Sequence, residues 1–567
     1  MQESATPPRS SRPAKKRAAV VTAGLAIGAL LLSGCVESQR DEGTADGGES
    51  GAAVDSTFVF AASSDPASLD PAFASDGETF RVSRQLFEGL VGVEAGTTDP
   101  APLLAESWET SEDGLSTTFA LREGVTFHDG TEFNAEAVCF NFDRWYNWTG
   151  VAQAPSVSYY YNNLFRGFAD SPDAAVYESC EVNGDLEATV TLAQPFAGFV
   201  PALSLPAFAM QSPTALEEFA ADDIGGSAEA PALSEYAEGN PVGTGPFKFD
   251  SWDVGEQLQL STYEDYWGEQ GDVETIIFRV IDDPQARTQA LQAGTVDGFD
   301  LVSPADIPTL EDEGFMIVPR DPFTILYLGL NHAVEELSDP LVREAIHHAI
   351  DKQALIDQTL PEGTQLATQF IPDVVDGYND EVTTYEYDPE RAMELLEEAG
   401  YPDGFEVEFN YPTNVSRPYM PTPEQVFTNL TDQLSAVGIT ATPAPAVWTP
   451  DYLDNIQGSA NHGIHLLGWT GDYNDTDNFI GVFFGQEKLE FGFDNPELFA
   501  ALDEARGMTD REAQTAAYEE INEQIAQFNP AIPLAHPAPS LAFAPRVDSY
   551  PASPVNDEVF NMIELNE

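Results

Sequence analysis

Two charged residues follow two predicted strands at the points where those strands end. The stretch FEVEFNY, residues 405–411, alternates apolar side chains like a strand, and Arg417 lies just beyond its carboxyl end. The short apolar stretch IHLLGW, residues 464–469, is soon followed by Asp472. Ligands of open α/β sheets lie in the crevice outside the carboxyl ends of the strands. If the two strands run parallel in one sheet, Arg417 and Asp472 emerge at the same edge.

The stretch around Asp472, GWTGDYNDTDNF, is rich in carboxylates and amides and raises the question of a calcium loop. An EF-hand loop places acid or amide ligands at positions one, three and five, glycine at six and glutamate at twelve. Counted from Asp472, position five is Thr476, position six is Asp477 and position twelve is Phe483. These positions argue against calcium, and we expect no metal. A solvated turn remains the alternative to a binding site.

Motifs of catalysis are missing from the sequence. It contains neither a GxSxG nucleophile elbow nor an HExxH zinc motif. His462 and His465 lie at the start of an apolar strand without a matching cysteine or carboxylate pattern, so we interpret them as structural. The many carboxylates leave a glycosidase-like acid/base pair open, but no spacing singles one out. We therefore expect a binding protein without a cofactor rather than an enzyme.

The first 35 residues have the pattern of a lipoprotein signal peptide. A basic region precedes an apolar segment, residues 18–32, that is shorter than the roughly 20 residues needed to span a bilayer. The sequence LSGC looks like a lipobox, with Cys35 as the lipid-modified first residue after cleavage. Residues 36–55 are rich in Gly, Ser, Asp and Glu, which is typical of a flexible tether. A plain secretion signal with a chance cysteine is the alternative.

The net charge narrows the choice of partners. The formal charge is −73, from 23 Lys+Arg against 96 Asp+Glu in 567 residues. Such a surface repels nucleic acid and anionic lipid headgroups, so neither is an expected partner. Cleavage before Cys35 would remove five basic residues and one acid, which leaves 18 against 95. An arginine in a candidate site is therefore more informative than an aspartate.

Besides the lipid-modified Cys35, the chain has two cysteines, Cys139 and Cys180. In an exported protein an even pair favours a disulfide, which would close a loop of about forty residues. Two reduced, buried thiols are the alternative.

The elements that must position these residues change character along the chain. Up to about residue 320, short alternating runs separated by glycine indicate strands and hairpins, with a helix capped by Asn134 among them. Beyond it, Asp339-Pro340 and Asp388-Pro389 each join an N-cap to a proline at the first helical position. Helices then alternate with strands. We predict an α+β lobe followed by an α/β lobe with a largely parallel sheet.

Several motifs together resemble a known family. LAESWETSEDGLSTTFALREGVTFHDGTEFNAEAV, NPVGTGPFKF, YEDYWG, DPLVREAIHHAIDKQALI and YDPERAMELLEEAGYPDGF occur in the order found in bacterial extracellular solute-binding proteins of family 5. These are the peptide- and nickel-type receptors of ABC importers. The resemblance covers nearly the whole chain beyond the tether, from about Thr57 to Pro537.

Two segments resemble the dipeptide-binding branch of this family more closely. SRPYMP is similar to a motif whose arginine binds the peptide carboxylate, and GWTGDYNDTDNF to one whose first aspartate binds the α-ammonium. The resemblance gives these roles to Arg417 and Asp472. Thr476 departs from the pattern, which has proline there. Further residues that the resemblance or their aromatic character places at the ligand are Tyr419, Gly471, Trp469, Gly77 and Thr79.

The resemblance implies a two-lobed periplasmic-binding-protein clamshell of type II. Its boundaries would be 56–318 for the first lobe, with 537–567 returning to it, and 319–536 for the second. It implies a monomeric receptor outside the cytoplasmic membrane that captures dipeptides or short peptides and serves an ABC permease and ATPase. Glutathione, haem, a nickel chelate or an oligosaccharide are alternative ligands, and a secreted hydrolase is the other class.

Overall fold

The computed structural model of the protein describes residues 56–228 and 230–566. The predicted signal peptide, Cys35 and tether lie outside the described residues. The strands of the described part are, in chain order, β1 Thr57–Ala62, β2 Val91–Val93, β3 Pro100–Pro102, β4 Ala105–Thr110, β5 Ser116–Leu121, β6 Tyr177–Gly184, β7 Glu187–Leu192, β8 Gly225–Ser227, β9 Ala230–Ala232, β10 Phe247–Asp253, β11 Gln257–Thr262, β12 Thr275–Val280, β13 Gly298–Asp300, β14 Met316–Pro319, β15 Thr324–Leu330, β16 Gln365–Leu366, β17 Phe405–Thr413, β18 Ile439–Val447, β19 Ile464–Thr470, β20 Ala531–His536, β21 Ser540–Phe543, β22 Val547–Ser549 and β23 Glu564–Leu565.

The α-helices include the predicted ones. They are α1 Gly77–Leu86, α2 Ala135–Tyr146, α3 Tyr159–Leu164, α4 Phe199–Ala202, α5 Pro213–Glu218, α6 Glu235–Gly239, α7 Pro284–Gln292, α8 Ile307–Asp312, α9 Glu335–Ser338, α10 Pro340–Ala349, α11 Lys352–Thr359, α12 Pro389–Glu398, α13 Pro423–Ala436, α14 Leu453–Gln457, α15 Ile480–Phe484, α16 Pro496–Arg506 and α17 Arg511–Phe528. The predicted N-caps Asn134, Asp339 and Asp388 are confirmed, because each side chain accepts a backbone N–H of the helix that it precedes. Within the described residues, no helix is long and apolar enough to cross a membrane.

The first sheet has seven strands in the order β10-β11-β12-β1-β13-β21-β14. Strand β1 is parallel to both of its neighbours, whereas β21 is antiparallel to both of its neighbours. The strand β21 comes from the C-terminal segment and is fully buried between β13 and β14. The end of the chain therefore completes a sheet that its beginning starts.

A separate four-stranded sheet, β4-β5-β7-β6, carries helix α2 on one side. Cys139 of α2 and Cys180 of β6 form a disulfide across this contact, with 41 residues of sequence separation. Closing a loop of this length lowers the entropy of the unfolded chain and, on that model, stabilises the fold by about 4 kcal/mol. The disulfide thus fixes α2 to the edge strand of the sheet.

The second sheet has six strands in the order β16-β20-β15-β19-β17-β18. The pairs β17–β18 and β17–β19 are parallel, but β15 is antiparallel to both β19 and β20, and β16 is antiparallel to β20. The prediction of a largely parallel sheet is therefore wrong outside the three strands β19, β17 and β18. The alternation of helices and strands in the sequence correctly predicted the parallel strands β19, β17 and β18. It carries no information on which distant strands pair with β15.

The chain passes twice between the two large sheets, once after β14 and once after β20. The two crossing segments lie side by side, since the Arg320 backbone N–H donates to Pro539 O at 2.9 Å and the Thr324 hydroxyl donates to Pro537 O at 2.9 Å. His536 contacts Thr324 O through Nδ1 at 2.7 Å. Two short, mutually bonded segments are thus the connection between the sheets.

A buried ionic network lies at the start of the first crossing segment. The Arg320 guanidinium donates to both carboxylate oxygens of Glu558, at 2.6 and 2.8 Å, and to Asp300 at 2.7 Å. Arg81 of α1 donates to Asp300 at 2.5 Å, and the Tyr550 hydroxyl donates to Glu558 at 2.6 Å. Burial opposes ionisation of Asp300, but Arg320 and Arg81 outweigh it and hold its pKa below the usual range. The network joins three distant parts of the chain where the sheets are connected.

Candidate functional site

Strands β17 and β19 are parallel neighbours, as predicted from their sequences. They pair only at Phe409 with Ile464 and at Asn410 with His465, near the beginning of β19. Beyond that point the Tyr452 hydroxyl contacts the carbonyl oxygens of both Asn410 and Leu466. The strands therefore stop pairing toward their carboxyl ends, where the buried Tyr452 lies between them. Arg417 and Asp472 follow these two strand ends, which is where ligands of open α/β sheets bind.

Asp472 is held by hydrogen bonds from two directions. Its Oδ1 accepts the Tyr160 hydroxyl at 2.7 Å, and its Oδ2 accepts the Asn478 side-chain amide at 3.0 Å. Asn478 Oδ1 in turn accepts the Asp472 backbone N–H at 2.8 Å and faces the Trp469 indole N–H at 3.4 Å. These contacts fix the carboxylate in one position without neutralising its charge.

The carboxylate of Asp472 is poised to titrate near neutral pH. Burial raises its pKa to about 6, although the hydrogen bonds from Asn478 and Tyr160 and the charge of Arg84 oppose that rise. In the part of the chain that the structure describes, no basic side chain forms an ion pair with Asp472. A cation brought next to this group would therefore be strongly favoured.

The other acidic residues of GWTGDYNDTDNF have local structural roles. Asp475 accepts the Asp477 backbone N–H at 2.8 Å and caps a short 3-10 helix, Thr476–Asn478. Asp477 pairs with Arg506 at 3.2 Å. No group of three or more metal-ligating side chains occurs among the residues placed by the structure. Asp475 and Asp477 are thus engaged within the protein itself, and the absence of a calcium loop remains a prediction.

Arg417 begins a tight turn in which its backbone exchanges two hydrogen bonds with Met420. The guanidinium stacks over the Trp448 ring at 4.5 Å from the ring centroid, and its buried Nε has no hydrogen-bond partner. Burial raises the pKa of the neighbouring Tyr419 hydroxyl, and the charge and a hydrogen bond of Arg417 oppose the rise. No carboxylate of the described chain forms an ion pair with Arg417, so its charge remains available to an anion.

Trp469, Gly471 and Tyr419 lie at the same strand ends, but packing accounts for much of what they do. The Gly471 N–H donates to Phe323 O at 2.8 Å, and a side chain at this position would collide with the Phe323 ring. Tyr419 is 6% exposed and packs on Gly468. Trp469 is half-buried and packs edge-on against Phe483. Their positions are compatible with a pocket wall, and this role remains a prediction.

The two residues implied for the first lobe are placed differently from each other. Gly77 is the exposed first residue of α1 with open space around it. The Thr79 side chain is fully buried. Its hydroxyl donates to the Asp76 carboxylate and accepts the Ala67 backbone N–H, both at 2.7 Å. Its hydroxyl therefore anchors the start of α1, and a contact of Thr79 with a ligand remains a prediction. The resemblance could not reveal these internal hydrogen bonds of Thr79, because a threonine that bonds to a helix cap and one that binds a ligand look alike in sequence.

Three residues of the site were missed by the sequence interpretation. Tyr160 comes from the Tyr-rich stretch of α3, 312 residues before its partner Asp472, and packs on Phe80 of α1. Asn478 lies inside the quoted motif but was not singled out, and Trp448 is the platform under Arg417. Of the three, Asn478 alone could have been recognised from the sequence, because it lies only six residues after its partner Asp472.

The chain has clear relatives among known proteins. It matches Bacterial extracellular solute-binding proteins, family 5 Middle, over residues 99–490. Heme-binding protein A of Haemophilus influenzae is 30% identical over 562 residues, which cover 96% of this chain and 99% of that protein. The dipeptide-binding protein of Escherichia coli is 28% identical over 97% of this chain and 99% of its own length.

A solved structure shares the fold over nearly the whole described chain. It is an ABC transporter-associated periplasmic binding protein of Helicobacter pylori in complex with the peptide STSA. Its TM-score is 0.75 at 28% identity, and the match covers 90% of this chain and 98% of that one.

The chain forms two mixed sheets and passes between them twice, and two charged residues without ion pairs follow strand ends of one sheet. Together with the similar solved structure, these features define a solute-binding protein of the periplasmic-binding-protein fold. More narrowly, this chain belongs to family 5 of the bacterial extracellular solute-binding proteins, which serve ABC importers. Like the other members of this family, it is a binding component and not an enzyme.

Proposed function

We propose that this protein captures dipeptides or short peptides between two lobes and delivers them to a membrane permease. The observation that carries the proposal is the pair of uncompensated charges, Arg417 and Asp472, that follow two parallel strands at one edge of the second sheet. The lobes would be residues 56–318 with 537–567, and residues 319–536. Lipidation at Cys35 would hold the receptor near its permease.

A peptide carries the two opposite charges that Arg417 and Asp472 would complement. A dipeptide zwitterion carries its ammonium and carboxylate roughly 6–7 Å apart, about two residue steps of extended backbone. Arg417 would bind the carboxylate through a bidentate fork, and Asp472 would bind the ammonium. Trp448, Trp469 and Tyr419 supply aromatic surface next to these charges. Gly77 at the start of α1 would face the peptide from the first lobe.

Haem is the second candidate ligand, because the relative at 30% identity is named for it. Haem propionates would use Arg417 but offer no cation to Asp472, so the aspartate favours the peptide. Mass spectrometry of small molecules released from the purified protein, followed by calorimetry with dipeptides, glutathione and haem, tests the choice. Dipeptide binding in the micromolar range or tighter is expected. Tight binding of haem alone would overturn the peptide assignment while leaving the family unchanged.

Amidation of the peptide is expected to weaken binding at least tenfold, because Arg417 then loses the carboxylate to which its charge is matched. Calorimetry on acid and amide forms of one dipeptide measures the difference. The Arg417→Met variant serves as the control, since it should bind the acid form weakly and distinguish little between the two. Equal affinities of wild type for both forms would contradict a role for Arg417.

Affinity for a free-amine dipeptide is expected to fall as the pH falls through about 6. The pKa of Asp472 without ligand is raised to about 6, and a bound ammonium favours the charged form. Binding is therefore strongest above this pKa and weakens by about tenfold between pH 7 and pH 5. The termini of the peptide do not titrate in this window. The Asp472→Asn variant should not show this fall in affinity between pH 7 and pH 5. A fall of the same size in the variant would mean that another group titrates.

A further inference from the structure

A second polar cluster lies on α10, α11, α17 and β20, apart from Arg417 and Asp472. It surrounds a cavity of about 30 Å³ whose lining includes His347, Lys352, Asn522 and Asn529. A cavity of this volume holds one or two particles the size of a water molecule. None of the residues proposed to bind the peptide lines it.

Three of these residues carry buried polar atoms without partners. His347 Nδ1, Asn522 Oδ1 and the Asn529 side-chain amide have no partner at full hydrogen-bond geometry, although the His347 and Asn529 side chains lie close enough to bond each other. The residues are only 5%, 1% and 4% exposed. Buried polar groups are almost always hydrogen-bonded in native proteins, and an unsatisfied one is costly. Their convergence on one cavity therefore points to an occupant.

Lys352 supplies the charge of this cluster. Its Nζ donates to Ala367 O at 3.0 Å, and no carboxylate of the described residues forms an ion pair with it. Burial lowers the pKa of the amine to about 7, and no carboxylate counteracts that effect. A lysine left without an acidic partner is notable in a chain with 96 Asp+Glu against 23 Lys+Arg.

We propose that this cavity binds a small monovalent anion of halide size. Donors outnumber acceptors around it: Lys352 has two further N–H groups and Asn529 offers its amide N–H groups. Asn522 Oδ1 is the free acceptor, because Asn529 Oδ1 can accept from His347 Nδ1. An anion accepts from the donors and compensates the ammonium, which water alone does not do.

Diffraction locates the anion directly. Crystals of the full-length protein soaked in sodium bromide should show an anomalous difference peak in the cavity, in contact with Lys352 Nζ. Bromide peaks confined to the protein surface, with water or empty density in the cavity, would overturn the proposal and indicate a neutral, hydrated lysine.

Thermal unfolding measures the same site in solution. At fixed ionic strength, replacing gluconate, an organic anion much larger than a halide, by chloride should raise the unfolding midpoint, because chloride binds only the folded state. Lys352→Met should abolish this dependence on chloride. The matched control is Lys488→Met, which removes a half-buried lysine that has Glu490 nearby and should retain the chloride dependence. Equal chloride dependence in wild type and Lys352→Met would contradict the site.

A second variant covers the case in which Lys352→Met does not fold. Asn529 has a φ of 57°, the left-handed conformation that glycine adopts without strain, so Asn529→Gly removes the amide with little change of backbone. We expect this variant to need at least about fivefold more chloride for the same stabilisation, through loss of one donor. An unchanged chloride requirement would exclude Asn529 and, with it, the donor set proposed here.

Discussion

Asp472→Asn is expected to weaken binding of a free-amine dipeptide by about 2–5 kcal/mol, which is about 30-fold or more in Kd. Asparagine keeps the shape and still accepts the Tyr160 hydroxyl, but it leaves the ligand ammonium buried without a counter-charge. Calorimetry with one dipeptide on wild type and variant measures the loss. The effect is large because burial has already removed water from this carboxylate.

Asp475→Asn is the matched control for that experiment. Asp475 lies three residues away, is 3% exposed and also has a pKa raised to about 6, mainly by burial. Its function is to cap a 3-10 turn, which asparagine does equally well. We expect its affinity to stay within about threefold of wild type. If both variants lost binding equally, the loop conformation rather than the Asp472 charge would explain the result.

Arg320→Met is expected to lower the free energy of unfolding by about 3–5 kcal/mol. The substitution leaves Asp300 and Glu558 buried with Arg81 as their remaining cation. Both carboxylates are less than a tenth exposed, so water cannot replace the lost guanidinium. Chemical denaturation followed by circular dichroism measures the change.

Arg511→Met is the control for Arg320, because it breaks an arginine–aspartate pair of similar length at the surface. Arg511 and Asp376 are 2.6 Å apart, but their side chains are 54% and 59% exposed. Solvent screens such a pair, and its loss should cost less than about 1 kcal/mol. If the two variants lost comparable free energies of unfolding, the buried network would contribute no more to stability than a surface ion pair.

The resemblance and the local sequence signals were sufficient for the family, the fold class and the edge of the sheet at which the charges lie. Caps such as Asn134, Asp339 and Asp388 act on a backbone N–H within three residues, so their effect can be seen in the sequence. The apolar patterns of β17 and β19 likewise predict strands, and their parallel pairing is confirmed. The role of Arg417 and Asp472 in binding remains a prediction that the experiments above test.

Other features depend on residues that are far apart in the chain. The antiparallel pairing of β15 with β19 and β20, the Tyr160 hydroxyl on Asp472 and the bond of Arg320 to Glu558 each join segments separated by more than 100 residues. The same holds for the cavity beside Lys352, which α10, α11 and α17 enclose together. Periodicity and capping report only what neighbours along the chain do to the backbone. Tertiary packing decides which buried polar groups come into contact. Buried polar groups require hydrogen-bond partners, and those partners can come from any part of the chain that the fold brings close.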